Sequence, residues 1–195
     1  MKILDIMIES ATLLGLNKEC VLLQNMDVES EQIVYAENPN LFSLFNLSKY
    51  SIREVCTNYV PMIQSVTMAT REGKISLSSL LNYIRIQNIT KNSEMIRYKI
   101  KNRSIIFEED GEYEINYLSY PDFDSAFDNV DFLNSLSPDV LVLSLCAYYA
   151  LAHGMFEEFE DLHDRYVEKA ESLKSLRIFD MPTRRWEWDE KKLLK

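Results

Sequence analysis

Apolar residues recur at helical spacing from the start of the chain. Ile3, Leu4, Met7, Ile8, Ala11 and Leu14 share one face, and Gly15 supplies the stop, which predicts a first helix. Across residues 17–40 the pattern lapses into a polar, acidic stretch with Asp27, Glu29, Glu31 and the breaker Asn38-Pro39. It reads as a loop or insert with at most a short helix. The helical period returns at Leu41, Leu44, Phe45, Ile52, Val55, Cys56 and Tyr59 and ends before Pro61, because a residue preceding proline is steered away from helical geometry. Over residues 62–120 the period becomes two. Ile84 and Ile86 alternate with Arg85 and Gln87, Ile96, Tyr98 and Ile100 with Arg97, Lys99 and Lys101, and Tyr113, Ile115 and Tyr117 with Glu114 and Asn116. The breaks between them, Lys91-Asn92-Ser93, Lys101-Asn102-Arg103 and Asp110-Gly111, are too short for crossover helices. They predict an antiparallel meander, with Asp110-Gly111 as a hairpin turn.

After Pro121 an acidic stretch, Asp122, Asp124, Asp128 and Asp131, interleaves with Phe123, Phe127 and Phe132. Ser137-Pro138-Asp139 then opens a helix, serine at the cap and proline in the first turn. Residues 140–152 are apolar nearly all round and predict a central buried helix, broken at Gly154. In the next helix Met155, Phe159, Leu162, Tyr166, Ala170 and Leu173 form one stripe. Glu157, Glu160, Asp161, Asp164, Glu168 and Glu171 form the opposite face. The fold class expected is α+β: N-terminal helices, an antiparallel β-meander, a long C-terminal helical hairpin and an extended C-terminal arm. The domain layout is a single α+β domain over 1–176, with 17–40 a loop or insert, 62–120 the sheet and 138–176 the helical pair, followed by the arm 177–195.

Composition narrows the function classes. The 195 residues are 47% hydrophobic and 27% charged, a soluble globular balance long enough to bury a core without disulfide or metal staples. Twenty-one basic against 31 acidic side chains give a formal charge of −10, which argues against a surface that grips nucleic-acid phosphates. The four glycines, Gly15, Gly73, Gly111 and Gly154, are too scattered for a phosphate-cradling loop or a dinucleotide fingerprint. Cys20, Cys56 and Cys146 are odd in number and far apart, which favours a reducing compartment during synthesis. The first residues, Met1-Lys2-Ile3-Leu4-Asp5, lack the features of a signal peptide, and no apolar run reaches the roughly 18 residues that span a bilayer. Synthesis in the cytosol and no membrane association are the expectations.

Candidate chemistry is sparse. His153 and His163 are the only histidines, and no serine, histidine and aspartate are ordered as a triad. A metal reading sets His153 and Glu157 one helical turn apart, with Glu160 and Asp161 a turn further, but Gly154 spoils the register; the other reading makes His153 a helix C-cap, where a cation is favoured. Asp122-Phe123-Asp124 lacks the central glycine and closing glutamate of a calcium loop. Glu157 and Glu158 are adjacent on one helix and do not face each other. No catalytic residue, metal or cofactor is expected. Trp186 and Trp188 follow Arg184 and Arg185 after Pro182, and either pack back on the domain or anchor a partner, tryptophan and arginine being the types that dominate binding hot spots.

The order of elements resembles a known family. A helix ending in Asn58-Tyr59-Val60-Pro61, strands ending in Glu114-Ile115-Asn116-Tyr117, an acidic aromatic loop and the Ser137-Pro138-Asp139 opening come first. Ala147-Tyr148-Tyr149-Ala150-Leu151, Gly154-Met155-Phe156-Glu157-Glu158, Asp164-Arg165-Tyr166 and the tail Thr183-Arg184-Arg185-Trp186 follow. Together they resemble the head-to-tail adaptor (connector) proteins of tailed bacteriophages over roughly residues 41–186. The resemblance implies a non-enzymatic virion protein of the head-tail neck. It forms a homo-oligomeric ring below the portal protein, continues the DNA channel and offers a docking surface to the tail or other neck proteins. DNA passes through without specific binding. It further implies that Arg184, Arg185, Trp186 and Trp188 form a portal-docking arm. The acidic face of the last helix is then the candidate channel lining. Two other readings stand beside it: a cytosolic regulatory or antitoxin-like protein-binding module, and a tail-completion or stopper ring protein.

Overall fold

A computed structural model of the chain describes residues 1–130 and 137–177. Helix α1 (Ile3–Leu13) buries Ile3, Ile6, Met7 and Ala11. Its first amides, which have no partner within a helix, are taken up by the acidic loop: Ile3 N–H donates to the Asp128 carbonyl at 3.1 Å and Leu4 N–H to the Ala126 carbonyl at 2.7 Å. It ends where Gly15 turns left-handed (φ +70°) and Leu16 N–H returns to the Ala11 carbonyl at 2.8 Å.

Residues 17–40 differ from the loop expected with at most a short helix. They hold two helices, α2 (Asn17–Gln24) and α3 (Glu31–Glu37). Each buries a single large apolar side chain, Leu23 and Tyr35, and so shows no period along the sequence. Asp27 and Ser30 exchange hydrogen bonds between these helices, Ser30 N–H to Asp27 Oδ1 at 2.8 Å and Asp27 N–H to Ser30 Oγ at 3.1 Å. Helix α4 (Pro39–Asn58) follows the predicted stripe, burying Leu41, Leu44, Phe45, Ile52, Val55 and Cys56.

The strands are β1 (Met62–Ala69), β2 (Lys74–Ser76), β3 (Tyr83–Lys91), β4 (Glu94–Met95), β5 (Lys99–Lys101), β6 (Ser104–Ile106) and β7 (Glu112–Ser119). Every pairing is antiparallel, as the spacing requires, but the order is not a meander. One sheet runs β1-β7-β3-β4 and the other β2-β6-β5. The two share an apolar cluster, Ile75, Ile105 and Phe107 meeting Ile86, Ile89, Tyr113, Ile115 and Tyr117. Asn92-Ser93 and Asn102-Arg103 turn their hairpins with both residues left-handed, at φ +53° and +68° and at φ +52° and +58°.

Asp110-Gly111 forms no hairpin, because β6 and β7 belong to different sheets. Asp110 Oδ1 instead accepts the Gly73 N–H at 2.6 Å and the Thr70 hydroxyl at 2.8 Å, pinning a third left-handed turn at Glu72 and Gly73. There a Cβ on Gly73 would stand 2.9 Å from the Phe107 carbonyl oxygen. The Gly73 amide, with the Thr70 hydroxyl, holds the Asp110 carboxyl below its ordinary value of 3.8. A depressed folded-state pKa gives stability that is complete above the unfolded value and lost as pH falls below it. Asp110→Asn, which keeps the acceptor, should therefore show a shallower loss of stability than the parent in urea titrations as pH falls below about 4.

A second cluster gathers the helices. Helix α5 (Pro138–Ala152) buries ten of its residues, including Leu141, Leu145, Cys146 and Ala150, and packs on α1, α4 and α6 (Phe156–Arg177). Ser137 occupies the N-cap as expected but makes no side-chain cap bond. Arg177, assigned by sequence to the arm, belongs to α6. The fold class is α+β. No helix among the described residues is long and apolar enough to cross a membrane.

Candidate functional site

On α6 the predicted stripe turns inward: Leu162, Tyr166 and Ala170 are buried and Met155, Phe159 and Leu173 half-buried. Glu157, Glu160, Asp161, Asp164, Glu168 and Glu171 are all exposed on the opposite face, spread over about 100° of helix arc. Among the described side chains, the two cations that pair with carboxylates here stand at one side of this arc. Arg165 reaches Asp161 at 3.4 Å, and Lys169 ties α6 to Asp139 of α5 at 2.6 Å. The Lys169 hydrogen bond and charge hold the Asp139 carboxyl below its ordinary range.

The metal and calcium alternatives are not assembled. His153 caps α5 with its ring stacked on Tyr149 at 4.1 Å, and Gly154 at φ +74° turns the chain before Glu157. His163 sits between Phe159 and Tyr166, 5.2 and 6.1 Å from their centroids. Asp128, in the acidic loop, spends its carboxylate on the Asp124 and Ser125 amides, both at 3.0 Å, and Phe123 is buried. Among the described residues no three of histidine, cysteine, aspartate and glutamate come together as a ligand set. Asp131, Phe132 and the arm residues Arg184, Arg185, Trp186 and Trp188 lie outside the described residues.

The buried polar groups serve packing. Tyr166 donates its hydroxyl to Glu54 Oε2, and Glu54 Oε1 accepts Asn58 Nδ2 at 2.9 Å. Burial, with the Glu54 charge beside it, pushes the Tyr148 hydroxyl up to about 12. Burial likewise pushes the Cys146 thiol up to about 11, while Cys20 is half-exposed. A thiolate is the reactive form, so alkylation of the native protein at neutral pH should modify Cys20 alone. Cys56 and Cys146 should label only after denaturation, as peptide mass mapping would show.

The sequence reading passed over one feature. Residues 71–103 carry eight basic side chains against two acidic ones in a chain of net charge −10. Folding concentrates part of that excess. Lys74 of β2 and Lys99 of β5 flank Ile106 of β6 in register, and Lys101 pairs with Ser104, so all three lysines project from the outward face of the smaller sheet, behind buried Ile75 and Ile105. Lys74, Lys101, Asn102, Ser104 and Ile106 line an open groove of about 310 Å³ there. The signal that finds this face is local charge imbalance, which net charge conceals. The chain matches no protein-family model and no curated protein.

Proposed function

We propose that this chain is a non-enzymatic structural subunit of a tailed-phage neck, forming a homo-oligomeric ring that binds below the portal and continues the DNA channel. The observation that carries the reading is α6, whose six exposed carboxylates lie opposite a stripe that packs on a largely apolar helix, within an order of elements that resembles the adaptor family. A ring of one chain needs heterologous contacts between different faces of neighbouring copies, and two helices packed as a long C-terminal hairpin provide a wall with a wet side. Carboxylates along a lumen repel phosphates, so DNA passes without adhering. Some of Glu157, Glu160, Asp161, Asp164, Glu168 and Glu171 line that lumen. The extended arm, through Arg184, Arg185, Trp186 and Trp188, holds the portal. The tail or other neck proteins dock below.

The purified protein mixed with genome-filled, tailless heads should add a closed ring of density under the portal, with α6 toward the channel. No added density from folded protein, or α6 carboxylates facing bulk solvent outside the ring, defeats the reading. Truncation after Leu176 should leave a folded protein that no longer joins heads. Exposed ion pairs contribute about 0–1 kcal/mol each, so the tryptophans matter more. Trp186→Ala with Trp188→Ala should weaken joining about 30-fold, a hot-spot effect measurable by titration of heads.

A further inference from the structure

We infer that the lysine face of the smaller sheet docks on the acidic flank of α6 in an adjacent copy of this chain. Lys74, Lys99, Lys101 and, at the tip of the β5–β6 hairpin, Arg103 are exposed, and among the described residues none has a carboxylate partner. The nearest acidic residue along the chain is Glu72, also exposed, in the turn before β2. On α6, Glu160 and Asp164 lie on the flank away from Arg165 and Lys169, and likewise have no cation among the described residues. They are a like-charged pair at i and i+4, an arrangement that weakens an isolated helix until a countercharge arrives.

The spacings agree. Glu160 and Asp164 are about 6 Å apart along the helix axis, and Lys99 and Lys101, two residues apart on one strand face, are separated by about 6.7 Å. Each lysine can therefore meet one carboxylate with the strand laid along the helix. Apolar side chains stand beside both faces, exposed Phe156 next to Glu160 on α6 and half-buried Ile106 between Lys74 and Lys99, as expected of a protein contact rather than a phosphate track. Four cations on a chain of charge −10 give little hold on a nucleic acid at physiological salt. The two faces differ and sit on different elements, so the contact is head-to-tail and propagates around a ring. Glu157, Asp161 and Glu168 stay free to face the lumen. The ring geometry rests on the adaptor reading; the contact itself rests on charge and spacing.

The test needs no portal, so it fails or succeeds independently of head joining. By sedimentation velocity the full chain should self-associate at roughly 0.05 M salt and much less at 0.5 M. Lys99→Glu with Lys101→Glu, and separately Glu160→Lys with Asp164→Lys, should each weaken association about tenfold or more, since like charges then oppose. An equimolar mixture of the two reversed proteins should associate again, each reversed face meeting a complementary one. All four sites are exposed, so unchanged thermal melts would show that folding is intact. Wild type that stays monomeric at low salt, single reversals that associate normally, or a mixture that is not restored would each overturn the inference. So would a lysine reversal that abolishes binding of a short labelled DNA duplex while leaving self-association unchanged.

Discussion

Leu141→Ala should destabilise the chain by about 3–4 kcal/mol, the range for emptying a fully buried leucine site, and lower its melting temperature by roughly 10 °C. Leu141 is wholly buried on α5, which packs against α1, α4 and α6, so no single neighbour can collapse into the space. Ile115→Ala, at the centre of β7 and also wholly buried, should cost about 3 kcal/mol for the same reason. The pair asks a further question, because the two residues belong to different apolar clusters. Helix α4 runs into β1 through residues 59–61, and the Arg53 guanidinium lies 4.1 Å over the Tyr120 ring at the far end of β7. Both variants are therefore expected to shift one shared calorimetric transition. Two transitions, each moved by one variant, would show that the helices and the sheets unfold separately.

Glu31→Ala should cost about 3 kcal/mol, and Glu31→Gln about 1 kcal/mol, measured by urea denaturation. Glu31 is 3% exposed, and its two carboxylate oxygens accept the Ser125 hydroxyl at 2.6 Å and the buried Ala126 amide at 2.7 Å. Alanine leaves both donors without an acceptor, whereas glutamine keeps a carbonyl for the amide. The loss spreads beyond one contact. The segment that Glu31 fixes also offers the Ala126 and Asp128 carbonyls to the first turn of α1, and Val130 N–H donates to the Met1 carbonyl at 2.9 Å. Amide exchange at Ile3 and Leu4 should accelerate in the alanine variant and stay close to the parent in the glutamine variant. Equal exchange in both would separate Glu31 from the start of α1.

These two sites mark the limits of reading the chain alone. Leu141 was legible: an apolar run opened by Pro138 and closed by Gly154 can only be a buried helix in a chain this polar elsewhere. Glu31 was not, because a glutamate in an acidic stretch reads as solvated. Only the return of Ser125 and Ala126, more than 90 residues later, gives it a reason to be inside. The same division holds in the sheets. Asn92-Ser93 and Asn102-Arg103 announced their hairpins through Asn92 and Asn102, asparagine being a residue that tolerates left-handed geometry. Asp110-Gly111 carried the same kind of signal and was claimed by the Glu72-Gly73 turn instead, an outcome that depends on where Thr70 and Gly73 are placed.

The acidic face of α6 was readable as a helical stripe, since side-chain direction follows from local period. The basic face opposite in sign was not. Its lysines come from β2 and β5, which never touch each other and are aligned only because β6 runs between them. By itself the sequence determined the helices of long period, the antiparallel sense of the strands and the burial of most of α5, because these follow from bonds and side-chain directions within a few residues. Strand order, the burial of Glu31 and the gathering of lysines on one sheet face were decided by tertiary structure. Each depends on partners distant along the chain, and such pairing is chosen by the burial it allows for the whole fold, not by any local preference.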